Sequence, residues 1–181
     1  MNNHVSFEQA VQFHGHRCPG LAIGYRLTLA GLNALSESKA LDEEIVAIVE
    51  NDACGVDAVQ LLAGCTFGKG NLIFRDYGKS VYTFYSRRTG AGVRVAWNEM
   101  PVPQDAVSDR MARIDWILQA PEDKIVRVRP VHIDAPPLAR IHESLRCDQC
   151  GERTMATRMR AAEGQRICIP CWTMRYPDAS I

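Results

Sequence analysis

Residues 71–97, NLIFRDYGKSVYTFYSRRTGAGVRVAW, decide the fold class. Three runs rich in β-branched and aromatic residues, NLIFR, SVYTFYS and VRVAW, are separated by DYGK and RRTGAG, which carry turn residues. That pattern predicts an antiparallel meander. Upstream, EEIVAIVEND reads as a strand buried on both faces, and GVDAVQLLA at 55–63 suits a short helix. Before these, 5–13 places Phe7, Ala10 and Val11 on one helical face behind a Ser6 N-cap. Leu21 to Leu35 is apolar almost all round, as expected of a helix buried in a core or an oligomer interface. Gly24 and Gly31 on it would let another backbone approach closely, each at about 1 kcal/mol relative to alanine. Downstream, 105–119 sets Val107, Met111, Ile114 and Leu118 at helical spacing ahead of Pro121. KIVRVRPVHI is a last strand with Arg127 and Arg129 on one face, and Pro130 argues for an edge or a strand end. The order predicts an α+β fold with helices packed on a mainly antiparallel sheet.

The chain has 181 residues, 46% of them apolar, with 21 basic residues balanced by 21 acidic ones. This suits one ordinary domain with a small appendage and excludes a disordered segment or a polyelectrolyte. A zero balance also excludes a globally basic nucleic-acid binder, though not a local basic patch. No window approaches the roughly 18 apolar residues of a membrane span, and MNNHVSFEQAVQFHGHRC lacks the marks of a signal peptide. The expectation is a cytoplasmic protein with no membrane partner. APP at 135–137 breaks the pattern, giving a core domain over 1–138 and a connector with a second module over 139–181.

Seven cysteines fall into two sets. Cys147-x-x-Cys150 and Cys168-x-x-Cys171 are 17 residues apart, within the spacing of four-cysteine zinc sites. Glu163-Gly164 reads as a hairpin turn between them, and CWTMRY as the start of a helix. Knuckle, hairpin and helix predict a treble-clef or zinc-ribbon finger, with zinc supplying much of the stability of so short a segment. Arg146, Arg153, Arg158, Arg160, Arg166 and Arg175 make the module basic. A solvated or docking face is favoured over nucleic-acid binding, because aromatic interleaving is sparse.

The early set lies around FHGHRCPG at 13–20. If extended, this stretch puts His14, His16 and Cys18 on one face, and imidazole with thiolate is the ligand set of zinc or another borderline transition metal. Pro19 suits the first helical position, leaving Cys18 near the N-cap, where the helix dipole would favour a thiolate. Cys54 sits between the buried strand and the next helix; it either completes a site with Cys18 or is a small buried apolar residue. Gly64 to Asn71 resembles a phosphate loop but has the wrong spacing and flanks. It is read as a tight turn or as backbone amides binding an anion with Lys69.

FHGHRCPGLAIGYR, CGVDAVQLLAGCTFGKGNLIFRDYGK and the terminal CxxCGE…CIPC together resemble the FmdE family, named for formylmethanofuran dehydrogenase. The resemblance implies an α+β core, often followed by a treble-clef finger. It implies a metal-associated pocket of His14, His16, Cys18 and Cys54, bordered by Asp57 and Lys69. It also implies a link to molybdenum- or tungsten-dependent formylmethanofuran dehydrogenase metabolism. The chain has no ferredoxin-type cysteine series, so electron transfer is not assigned to it.

Three functions compete. The first is a metal-dependent enzyme or accessory acting on a small C1, formyl-type or anionic substrate, with a second transition metal, zinc by preference, in the core. His14, Cys18, Asp57 and Lys69 would be its catalytic group. The second is a metal sensor, carrier or assembly factor docking a protein partner, and the third a finger-based nucleic-acid-binding regulator. The apolar helix adds the expectation of a homodimer.

Overall fold

Ile45–Val49 forms β1, buried along its whole length. The computed structural model describes residues 5–98 and 101–178, and the chain divides into two units, one ending at Ala139 and the other beginning at Arg140. In the first unit β1 lies inside a five-stranded sheet with β2 (Leu72–Phe74), β3 (Val81–Ser86), β4 (Gly92–Trp97) and β5 (Val126–Val131), in the order β2-β1-β3-β4-β5. All the pairings are antiparallel except β1 with β2.

The sheet is mainly antiparallel, but the predicted meander is corrected: β1 stands between β2 and β3. A run apolar on both faces is placed where both its edges are paired, and β2 reaches its parallel position through the helical crossover that such a neighbour needs. The DYGK segment is consequently not a tight hairpin. It passes over the end of β1, where the amides of Arg75 and Lys79 donate to the Val49 and Glu50 carbonyls at 2.9 and 3.0 Å. The β3–β4 hairpin stands as expected, and β5 is the edge strand that carries Pro130.

Local signals set the helix starts. Ser6 and Gln9 form a reciprocal capping box at α1 (Phe7–His14). Cys18 N-caps α2 (Pro19–Leu35), with proline in the first turn. Then α3 (Gly55–Ala63) packs against α2, where the Gly24 and Gly55 backbones meet too closely for a side chain. Much of the apolar surface of α2 is covered within its own unit, with Leu21, Ala22 and Leu27 fully buried in the main core and Ile23, Tyr25 and Leu29 half-buried.

The helix expected over 105–119 is two helices, α4 (Gln104–Ser108) and α5 (Arg110–Gln119). Asp109 breaks them by accepting from the amides of Met111 and Ala112 at 2.7 and 3.2 Å, an N-cap in mid-pattern. Val107 and Met111 are consequently exposed, while Ile114 is buried as expected and Ile117 joins it in the core. Arg26 of α2 closes the other end of α5 by donating to the carbonyls of Ile117, Leu118 and Ala120 at 2.9, 2.7 and 2.8 Å. A short α6 (Glu122–Ile125) leads into β5.

The second unit holds two small antiparallel pairs, β6 (Ser144–Arg146) with β7 (Arg153–Met155) and β8 (Met159–Ala162) with β9 (Gln165–Cys168), then α7 (Ile169–Arg175). Glu163 and Gly164 both have positive φ, the two-residue turn a tight hairpin requires. Ala162, Ile167, Cys147, Cys168 and Cys171 form its small core. Knuckle, hairpin and helix follow in treble-clef order. Among the described residues no helix is long and apolar enough to cross a membrane.

Candidate metal centre

Three helix ends build the core site. His14 is the last residue of α1, and Gly15 ends that helix at φ +93°, a left-handed conformation that favours glycine. The chain then returns to Cys18, whose Sγ accepts from the Leu21 amide at 3.3 Å. The extended arrangement of His14, His16 and Cys18 is therefore corrected: a helix-to-helix turn gathers them. Cys54 arrives from the end of β1, immediately before α3.

The ligand atoms of His14, His16, Cys18 and Cys54 all lie within 4.8 Å of one another. Cys18 Sγ is 3.8 Å from His14 Nε2, and the two imidazole rings are 4.5 Å apart. A sulfur at about 2.3 Å and a nitrogen at about 2.0–2.1 Å from a tetrahedral metal are separated by roughly 3.6 Å, so the donors present fit a metal. His14 Nδ1 lies 2.6 Å from Asp57 Oδ2, which leaves Nε2 to face Cys18. Gln60 in turn donates to Asp57 Oδ1 at 3.0 Å. This carboxylate–histidine pair is the outer support that fixes the tautomer and orientation of a ligating imidazole. Burial and the adjoining Cys18 thiol push the Cys54 thiol up, so a cation shared by the two sulfurs would favour the thiolate form that each must adopt to ligate it.

Cys18 is buried, His14 and Cys54 are half-buried, and His16 is exposed. A cavity of about 390 Å³ opens beside the cluster, and His14, Cys54 and Asp57 themselves line it together with Asp52, Phe67 and Phe74. Among the described residues no lysine or arginine lines it. Lys69 is not brought to the cluster. Its ammonium donates to the Asp42 carbonyl at 2.8 Å, and its amide to Thr66 Oγ1 at 3.3 Å. Asn71, fully buried, accepts from the Thr66 amide and donates to the Ile45 carbonyl at 2.9 Å each. With the Thr66, Lys69 and Gly70 amides engaged, 64–71 is a fastened turn. Gln60, Phe67 and Phe74 were not singled out from the sequence. Gln60 could have been found from its i, i+3 relation to Asp57 on a helix, whereas nothing local marks the two phenylalanines.

The second cluster is Cys147, Cys150, Cys168 and Cys171, again with all ligand atoms within 4.8 Å. Cys150 and Cys168 Sγ are 3.9 Å apart, close to the roughly 3.8 Å edge of a zinc–thiolate tetrahedron. Gly151 turns the knuckle at φ +75°. Backbone amides around it, with the Cys168 amide at 3.3 Å from Cys147 Sγ, hold the Cys147 thiol down at about 6. A thiol with that bias is ready to ligate at neutral pH.

The family model described as "FmdE, Molybdenum formylmethanofuran dehydrogenase operon" matches residues 13–127, well over half of the chain. The chain belongs to the FmdE family. The FmdE segment contains all four core donors, and the four-cysteine unit lies beyond it. A solved protein from Syntrophus aciditrophicus, described as FmdE-like and named for tungsten formylmethanofuran dehydrogenase, is 27% identical. It superposes with a TM-score of 0.70 over 98% of this chain and 96% of its own. A protein of Archaeoglobus fulgidus described as a probable S-adenosyl-L-methionine-binding protein is 31% identical over 90% of this chain. This FmdE-family chain spans about half of that relative, 51% of its length.

Proposed function

We propose that this protein is a metal-dependent enzyme or enzyme accessory whose small-molecule ligand enters the cavity beside His14 and Cys54. The observation that carries the proposal is that four metal-donor side chains converge at the wall of a cavity two of them line. The donor set suits zinc or another borderline transition metal, which when bound supplies Lewis acidity toward a ligand oxygen or a lowered water pKa. Asp57 keeps the proton on His14 Nδ1 and holds the ring in place, while Phe67 and Phe74 give the cavity an aromatic wall. His16, the exposed donor, is the ligand most readily displaced.

The lining also selects ligand charge. Asp52 and Asp57, with no lysine or arginine among the described lining residues, favour a neutral or cationic ligand, such as the C1 or formyl-type substrate, over the anionic alternative. A neutral formyl or carbonyl group fits this chemistry and the formylmethanofuran dehydrogenase connection of the family. The acidic and aromatic lining supports a second ligand class, a sulfonium such as the S-adenosylmethionine ascribed to the Archaeoglobus relative, through charge and cation–π attraction. The finger is proposed to hold zinc structurally and to dock a protein partner, with a salt-dependent gel shift as the check for nucleic acid instead. Seven thiols, all free, suit the reducing cytoplasm. A homodimer is also proposed, through the half-buried Ile23, Tyr25 and Leu29 of α2, and sedimentation at micromolar concentration decides it.

The test is cobalt substitution. Visible bands of the core cobalt site should shift saturably with a formamide or with S-adenosylmethionine, and Asp57→Asn should alter the response. Bands indifferent to every such ligand would indicate a closed four-donor site, and the sensor or carrier function would replace this one.

A further inference from the structure

The sheet face opposite the main core carries a feature that the metal centre does not use. Strand register places Ile73, Ile48, Thr83, Arg94 and Arg129 in one row across all five strands. Arg127, two residues before Arg129, shares that face and pairs with Ala96. Arg94 and Arg129 are thus directly opposed on neighbouring strands, an arrangement of like charges that weakens a strand pair. The three guanidinium groups, with Ala96, line a hollow of about 190 Å³.

Little neutralises them among the described residues. Glu50, 4% exposed, forms a bidentate ion pair with Arg94. Among the described residues Arg127 donates to the uncharged Asn98 amide oxygen, at 3.1 Å, and the Arg129 side chain shows no hydrogen-bond partner. Among the described residues the three cations of this hollow have one ion-pair partner, Glu50, with Asp134 in the wall of the adjoining cavity. Arg94 is also part of the wall of a neighbouring cavity of about 640 Å³, floored by Ile48, Ile73 and Thr83.

We propose that this face binds a small phosphorylated molecule, its phosphate held among Arg94, Arg127 and Arg129 and its remainder lying in the adjoining cavity. Guanidinium forks match phosphate oxygens bidentately, and the Glu50 pair fixes one fork in advance. The bound anion would relieve the repulsion that the strand pair otherwise carries. The metal cavity, acidic and with no lysine or arginine among its described lining residues, suits the opposite class of ligand, so the two sites are chemically distinct.

Titration calorimetry with inorganic pyrophosphate, at fixed salt, tests this. Wild type should bind saturably. Arg127→Gln with Arg129→Gln should weaken binding by at least about tenfold, roughly the loss of one charge-assisted bidentate contact. Arg113→Gln, at an exposed position of α5, should change nothing. Thermal melts give an independent reading: pyrophosphate should raise the wild-type melting temperature, whereas Arg129→Gln should melt higher than wild type without the anion and gain little from it. No binding by wild type, equal binding by the double variant, or binding of a single-stranded oligonucleotide but not of pyrophosphate would overturn the proposal.

Discussion

Gly24→Ala should damage the fold and the core metal site together. A Cβ built on Gly24 would lie 2.2 Å from Gly55 Cα and 2.3 Å from Gly55 O, against a carbon–carbon contact distance of about 3.5–4.0 Å. The obstructing atoms are backbone, so no rotamer change relieves the clash, and α2 and α3 must part by more than about 1 Å. Overpacking of this kind costs about 3 kcal/mol at the upper end of its usual range, and the better helix propensity of alanine returns about 1 kcal/mol. The net loss of about 2 kcal/mol corresponds to a fall of roughly 8 °C in melting temperature for a unit of this size. Cys18 begins α2 and Cys54 directly precedes Gly55, so the same displacement moves one thiol from the other by several times the roughly 0.2 Å that a metal site tolerates. Core-metal affinity should fall at least about tenfold, close to the effect of losing an outer-shell partner. Circular-dichroism melts with chelator competition measure both quantities, and Gly68→Ala, whose Cβ meets nothing within 4 Å, is the control. A Gly24→Ala protein that melts within about 1 °C of wild type would refute the packing argument. One that melts early yet keeps its metal would show that the α2–α3 contact does not set the site.

Cys18→Ser should abolish core metal binding and leave the apo melting temperature nearly unchanged, because serine can still cap the Leu21 amide; metal analysis beside a melt checks this. Asp57→Asn should weaken the core metal by about 10–100-fold without unfolding the chain, read by the same competition. Cys150→Ser should lose one metal equivalent and raise hydrogen exchange only after residue 140 or so; exchange spreading through the sheet would mean that the two units do not fold separately. Cys65, donating to the Ile45 carbonyl at 3.4 Å, is pushed up to about 12 by burial. Its stability contribution is complete below an unfolded-state pKa near 9. It falls by about 1.4 kcal/mol per pH unit above that, because the unfolded thiol ionises while the folded one cannot. Urea melts at pH 8.5 and 10 should show a shallower loss for Cys65→Ala.

Much of the chain was legible because its signals are local. Ser6 and Gln9 cap α1 within a few residues, Cys18-Pro19 starts α2 by fixing one turn, and GVDAVQLLA ends where Gly64 takes a left-handed conformation. The two CxxC pairs needed only their spacing, because a knuckle turn presents both sulfurs to one point. Where a second local signal competed, periodicity misled: the spacing of Val107 and Met111 hid the Asp109 cap that breaks the helix and turns those residues outward.

By itself, then, the sequence determined most of the core elements, the caps of α1 and α2, the buried character of β1, and the donors of the finger and of the His14–Cys18 segment, all set by signals that close over a few residues. Only the tertiary structure decided that β1 parts β2 from β3, that Asp57 orients His14 while Lys69 turns away to Asp42, and that Arg94 and Arg129 share one row. The physical reason is that alternation tells a strand which face to bury but not which neighbour to pair with. That choice is made by burying both edges of the most apolar strand, and it alone fixes which distant side chains meet.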